Sequence, residues 1–135
     1  AEIAVERGMM TAMGAPNAMR GQSYSGNLSA REAHANGVLD ILASDYHPAA
    51  ILSAVMTLAE TDPNGLAGAA ALVTSNPAKA LGLPDRGRIE VGLNADLAFV
   101  DKGPLTRVIA TMRDGAFVHT SGKLDFTSQK EPLPA

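Results

Sequence analysis

The sequence predicts an α/β chain in which two parallel strand–helix units lead into an antiparallel β region. Three observations carry this. MMTAMGAP (9–16) and VLDILAS (38–44) are short apolar runs with a helix signal between them, the pattern of strands in a parallel sheet. A helical pattern follows the second run. Beyond residue 84 the apolar period shortens to two, and Asp114–Gly115 marks a hairpin turn.

Each element has a local reason. Residues 2–7 suit the end of a helix, with Gly8 as its stop. MMTAMGAP is an apolar run closed by Gly and Pro, suited to a buried strand. NAMRGQSYSGN (17–27) is a polar loop rich in Gly and Ser. Ser29 and Glu32 have capping-box spacing and Gly37 follows Asn36, so 30–36 should be a short helix. VLDILAS is the second strand. Pro48 suits the first position of a helix whose Ile51, Leu52, Val55 and Leu58 share one face. DPNG (62–65) is a turn by composition, and a helix follows from Leu66 to about Thr74. Asn76 reads as the cap of another short helix, with Pro77 in its first turn and Gly82 at its end. RIEVG (88–92), ADLAFVD (95–101) and VIATMRDGAFVHT (108–120) read as strands, and the PLPA tail as frayed. AEIAVERG at the start reads like a helix entered midway, so the chain is expected to be part of something larger.

Composition narrows the function. A chain of 135 residues admits at most one domain, and 46% hydrophobic against 19% charged residues argues for a folded one. The net charge of −3, with few aromatics and no basic stripe, argues against nucleic acid as a partner. There is no cysteine, which removes disulfides, thiolate zinc ligands and thiol nucleophiles. AAILSAVMTLA (49–59) falls short of the ~18 apolar residues of a membrane span, so no membrane partner is expected. A cytoplasmic location is compatible with this.

Ligands of parallel sheets bind where the strands end at their carboxyl side. Two segments fall there. The loop 17–27 gathers Asn17, Arg20, Gln22, Ser23, Tyr24, Ser25 and Asn27 among glycines, a donor array able to grip a phosphate ester. Gly, Ser and Asn also favour ordinary solvent turns, and both readings stand. SDYHP (44–48) ends the second strand with a carboxylate. Asp45 could ligate Zn²⁺ and take a proton from metal-bound water, or could simply cap a helix ahead of Pro48. His47 could join it as a ligand or be a polar loop residue. His34 and His119 read as surface residues. There is no H-x-H or HExxH, so the chain lacks a complete metal site.

TSNPAKALGLPDRGRIEVGLNADLAFVD (74–101) resembles the closing segment of the amidohydrolase superfamily. MGAPNAMRGQSYSGNLSA (13–30) and LDILASDYHPAAIL (39–52) resemble its PhnM-type branch of phosphonate catabolism. The resemblance implies the last two βα units of a (β/α)₈ barrel over 1–83 and part of a small β domain over 84–135, an incomplete barrel. It places Asp45 on the aspartate that ends strand eight, a metal ligand and proton acceptor for the attacking water. The implied cofactor is a divalent metal, with zinc expected. The implied reaction converts α-D-ribose 1-methylphosphonate 5-triphosphate to the 5-phosphate and pyrophosphate. A phosphorylated small-molecule substrate makes Arg20, Ser23, Ser25 and Asn27 candidate contacts. The isolated chain is expected to be inactive. Two alternatives stand beside this reading: a cyclic-amide hydrolase of the dihydroorotase kind, and a non-catalytic chain that forms homo-oligomers through exposed strand edges.

Overall fold

The computed structural model describes residues 2–20, 28–103 and 105–122. It is a mixed α/β structure whose contacts divide the chain after Leu93 into two units. The PLPA tail lies outside the described residues.

In the first unit, α1 spans Glu2–Glu6 and the chain turns away at Gly8, where φ is +69°. β1 is shorter than the apolar run predicts, Ala12–Gly14, and Met9 and Met10 ahead of it are exposed. Apolar letters mark a strand only where a partner and a core receive them. α2, Ala15–Arg20, starts at once and replaces the first part of the expected loop. Pro16 sits in its first turn, where a missing N–H costs no helical bond. Ala15 and Ala18 are fully buried. Arg31 closes the other end, its Nε donating to Ala18 O at 2.6 Å and its Nη2 to Met19 O at 3.1 Å. A cation on orphan C-terminal carbonyls is favourable both as hydrogen bond and against the helix dipole.

α3, Ala30–Ala35, is built as its capping box predicts. The Ser29 hydroxyl accepts from Glu32 N–H at 3.2 Å, and the Glu32 carboxylate accepts from Ser29 N–H at 2.9 Å. Hydrogen bonds to the Glu32 carboxylate, first from the Ser29 backbone N–H and then from the Ser29 side chain, hold it below the usual glutamate range. A depressed carboxyl stabilises the fold above its unfolded pKa of about 4.3 and loses that contribution as pH falls through the lower folded value. Ser29 is also buried. Ser29→Ala is therefore expected to cost about 1 kcal/mol at neutral pH. Urea melts at pH 7 and pH 3 check this, and the gap between parent and variant should narrow in acid.

β2, Ile41–Ala43, pairs with β1 in parallel, matching Ala12 with Ile41, Met13 with Leu42 and Gly14 with Ala43. α4 (Ala50–Ala59), α5 (Gly65–Ala71) and α6 (Ser75–Ala80) follow. Pro48 lies in the turn ahead of α4 and not at its first position, and the buried face carries Ala50 and Ala54 together with Val55 and Leu58. α2 packs on α4 and α3, and α4 on α5. The core is unusually rich in alanine. Ala15, Ala18, Ala30, Ala33, Ala54 and Ala69 are fully buried, and the large members are Leu39, Leu42, Val55, Leu58 and Leu72. Small residues let short helices approach each other and the strand pair closely.

RIEVG forms no strand. Ile89 and Val91 alternate as a strand would, yet they are 90% and 102% exposed. Among the described residues no helix is long and apolar enough to cross a membrane.

The second unit is an antiparallel meander of β3 (Leu97–Asp101), β4 (Arg107–Arg113) and β5 (Ala116–Thr120). Asp114 and Gly115 both take positive φ, +48° and +78°, the backbone that a two-residue hairpin loop demands. Phe99 opposes the buried Ala110, Met112 opposes both Leu97 and Phe117, and the Phe99 and Phe117 rings lie 5.7 Å apart.

Candidate functional site

β1 and β2 run in the same direction and stop level with each other, at Gly14 and Ala43. Beyond Ala43 the chain makes a tight turn in which His47 N–H donates to Ser44 O at 3.2 Å. Asp45 occupies its second position with φ +56°, a left-handed conformation that Asp tolerates better than most residues. That conformation brings the side chain back across the sheet, over the last residue of β1. A Cβ built on Gly14 would stand 2.9 Å from Asp45 Oδ2 and 3.3 Å from Asp45 Cβ. The Asp45 carboxylate therefore lies at the carboxyl exits of both strands. It is exposed, as are Tyr46 and His47.

The opposite ends of the strands are tied for stability. Thr11 N–H donates to Asp40 Oδ2 at 2.8 Å, and the Thr11 hydroxyl donates to Val38 O. Asn76 does not cap its own helix. Thr74 holds the cap position, and the Asn76 amide donates to Asp40 O at 2.8 Å. Leu42 N–H donates to Leu72 O at 3.0 Å, which fastens β2 to the end of α5. Two aspartates five residues apart thus serve different ends of one strand: Asp40 is held by backbone and side-chain donors, while Asp45 is presented to solvent.

His34 differs from the surface residue expected. Its ring Nε2 lies 2.9 Å from Asp62 Oδ2, and both side chains are 9% exposed. Asp62 Oδ1 also accepts from Asn64 N–H at 2.7 Å. A Cβ on Gly68 would fall 2.0 Å from that oxygen, so only glycine leaves room for the carboxylate against α5. The pair clamps α3 to the turn between α4 and α5. Asp62→Ala is expected to cost about 1–3 kcal/mol, because it strands a nearly buried imidazole N–H. Chemical denaturation measures it, and an unchanged midpoint would remove the clamp from the account.

A zinc ion in a catalytic site takes three protein donors and keeps one position open. Asp45 fits as one such donor: a hard oxygen ligand, exposed, at the carboxyl end of parallel strands. Among the described residues no three His, Asp or Glu side chains gather into a metal-binding group. The other donors would have to come from elsewhere. Of the candidate phosphate contacts, Arg20 closes α2, and Ser23, Ser25 and Asn27 lie outside the described residues. His119 is exposed on β5. Gly14 was not among the candidates, although a glycine ending a strand without need of positive φ is a readable signal of close approach.

The sequence model of the amidohydrolase family matches residues 8–124. The alpha-D-ribose 1-methylphosphonate 5-triphosphate diphosphatase of Escherichia coli (strain K12) is 48% identical over 104 residues, covering 76% of this chain and 28% of the relative. The chain thus spans about a quarter of the length of the curated relative it matches.

Proposed function

Because this chain belongs to the amidohydrolase family, we propose that it forms the last two βα units of a metal-dependent (β/α)₈ hydrolase, together with part of its small β domain. A whole barrel of this kind needs about 250 residues, so the first six strands lie outside this sequence. The observation that carries the reading is the exposed Asp45 carboxylate, aimed across the carboxyl exits of a parallel strand pair. The likeness to a triphosphate diphosphatase supplies the substrate class.

In this reading the substrate is a ribose 5-triphosphate esterified with methylphosphonate through its C1 oxygen. The elements of water are added across the phosphoanhydride bond between the α and β phosphorus atoms, giving the 5-phosphate and pyrophosphate. A bound divalent metal, zinc or a similar ion, would supply a water acidified to a pKa of about 7. Asp45 would be one ligand of that metal and would accept the proton that the attacking water gives up. Arg20, at the end of α2, and the Ser23, Ser25 and Asn27 hydroxyls and amide would meet the polyphosphate, where a guanidinium fork and several neutral donors suit spread negative charge. One metal donor does not make a site, so the 135-residue chain alone would not turn over.

The test is pyrophosphate release from the ribose triphosphate with added Zn²⁺ or Mn²⁺. Release is expected when the chain is joined to the strands that supply the remaining ligands, and not from the chain alone. Turnover by the isolated chain that survives Asp45→Asn would overturn the reading. Preference for a cyclic amide over the triphosphate would overturn the substrate class.

A further inference from the structure

Gly14 has no backbone reason to be glycine. It does not adopt the left-handed φ that marks Gly8, Gly37 and Gly82, and it sits inside strand pairing opposite Ala43. A glycine in a strand lowers stability through unfolded-state entropy, and it survives where another group must come close. The group that comes close is the Asp45 side chain. All three heavy atoms nearest to a Cβ at Gly14 belong to Asp45: Oδ2 at 2.9 Å, Cβ at 3.3 Å and Cγ at 3.4 Å.

The contact works from both sides. Asp45 reaches β1 because its backbone is left-handed, and it can settle there because β1 ends without a side chain. An added methyl would crowd the carboxylate oxygen at 2.9 Å, closer than a real Cβ contact allows. The oxygen is the free end of an exposed side chain and would yield by rotating, while the Asp45 Cβ at 3.3 Å would have to give by a few tenths of an ångström within its turn. The cost would fall chiefly on where the carboxylate points, with a small adjustment of the 44–47 turn.

We infer that Gly14 is a positioning residue for Asp45: its missing side chain is the seat that fixes the carboxylate over the strand exits. This rests on the reading of Asp45 as the reactive carboxylate, and it deepens that reading by assigning the residue that sets its direction. A shift of about 1 Å in a catalytic group can cost a hundredfold in rate, so the smallest side chain at position 14 should be felt in chemistry.

The experiment is Gly14→Ala in the full chain, read first by the side-chain couplings that report Asp45 χ1 in NMR. The expected result is a changed Asp45 χ1 rotamer, read from altered couplings between its Hα and its two methylene protons. The melting temperature should stay within about 4 °C of the parent. An Asp45 rotamer unchanged by the added methyl overturns the inference. If Gly14→Ala does not fold, Gly14→Ala with Asp45→Gly decides: recovered folding places the clash at the Asp45 side chain, and continued failure assigns Gly14 to packing and overturns the inference. With the remaining strands present, Gly14→Ala is expected to lower kcat by about 100-fold at nearly constant KM. An Asp45→Asn variant with parental kcat would instead remove the functional reading, while the rotamer measurement still decides what Gly14 does.

Discussion

Asp45→Asn is expected to lower kcat of the assembled hydrolase by about 10²–10⁴-fold, the range that a positioned proton acceptor contributes. Asparagine keeps the size of the side chain and tolerates the left-handed backbone that Asp45 adopts at φ +56°. The turn at 44–47 should therefore survive, and a lost rate would report chemistry. The amide can neither take a proton from water nor offer a charged ligand oxygen. KM should change little, because the candidate polyphosphate contacts lie on the segment after β1. Asp40→Asn is the matched control. It alters a carboxylate on the same strand but at the other end, where Asp40 accepts Thr11 N–H at 2.8 Å. That variant should lose stability with kcat little changed. Steady-state kinetics and thermal melts of both separate the outcomes. Turnover of Asp45→Asn within about threefold of the parent would remove Asp45 from the chemistry.

The contrast between those two aspartates shows what local sequence carries. The position of Asp45 was legible because an apolar run ending in a carboxylate marks the exit of a strand, the end at which parallel sheets bind ligands. The capping box at Ser29 and Glu32, the stops at Gly8, Gly37 and Gly82 and the Asp114–Gly115 hairpin were legible for a similar reason: each is a transaction between neighbours in the chain. The misses involve partners distant in sequence. Asn76 looks like a cap because it precedes Pro77, but its amide reaches back 36 residues to Asp40. His34 looks like a surface residue on a short helix, and it is nearly buried because Asp62 meets it. Ile89 and Val91 alternate as a strand would, yet alternation gives no strand where neither face nor edge is received. Gly14 lay in a motif already singled out, and its contact with Asp45 depends on strand register, which no local pattern states.

The largest stability effect is expected from Leu58→Ala. Leu58 is 1% exposed and is the largest fully buried side chain of the described residues. It lies in the last turn of α4, the helix that packs on both α2 and α5. The cost of such a truncation is the lost transfer energy plus the cavity that neighbours fail to fill. Here the neighbouring core is largely alanine, with no torsions by which to swing into a void, so collapse would require whole helices to shift. That places Leu58→Ala in the upper part of the usual range, about 3–5 kcal/mol. Against a total stability of about 5–15 kcal/mol, this is enough to bring the first unit close to unfolding at physiological temperature. Thermal melts should show a fall of roughly 12 °C or more. Leu81→Ala provides the comparison: Leu81 is 73% exposed, and its loss should stay within about 0.5 kcal/mol. Leu58→Met should recover much of the stability, because methionine refills the volume with a side chain that can bend. A Leu58→Ala variant that melts with the parent would mean that the alanine-rich core collapses freely, and that the close helix contacts do not fix its geometry.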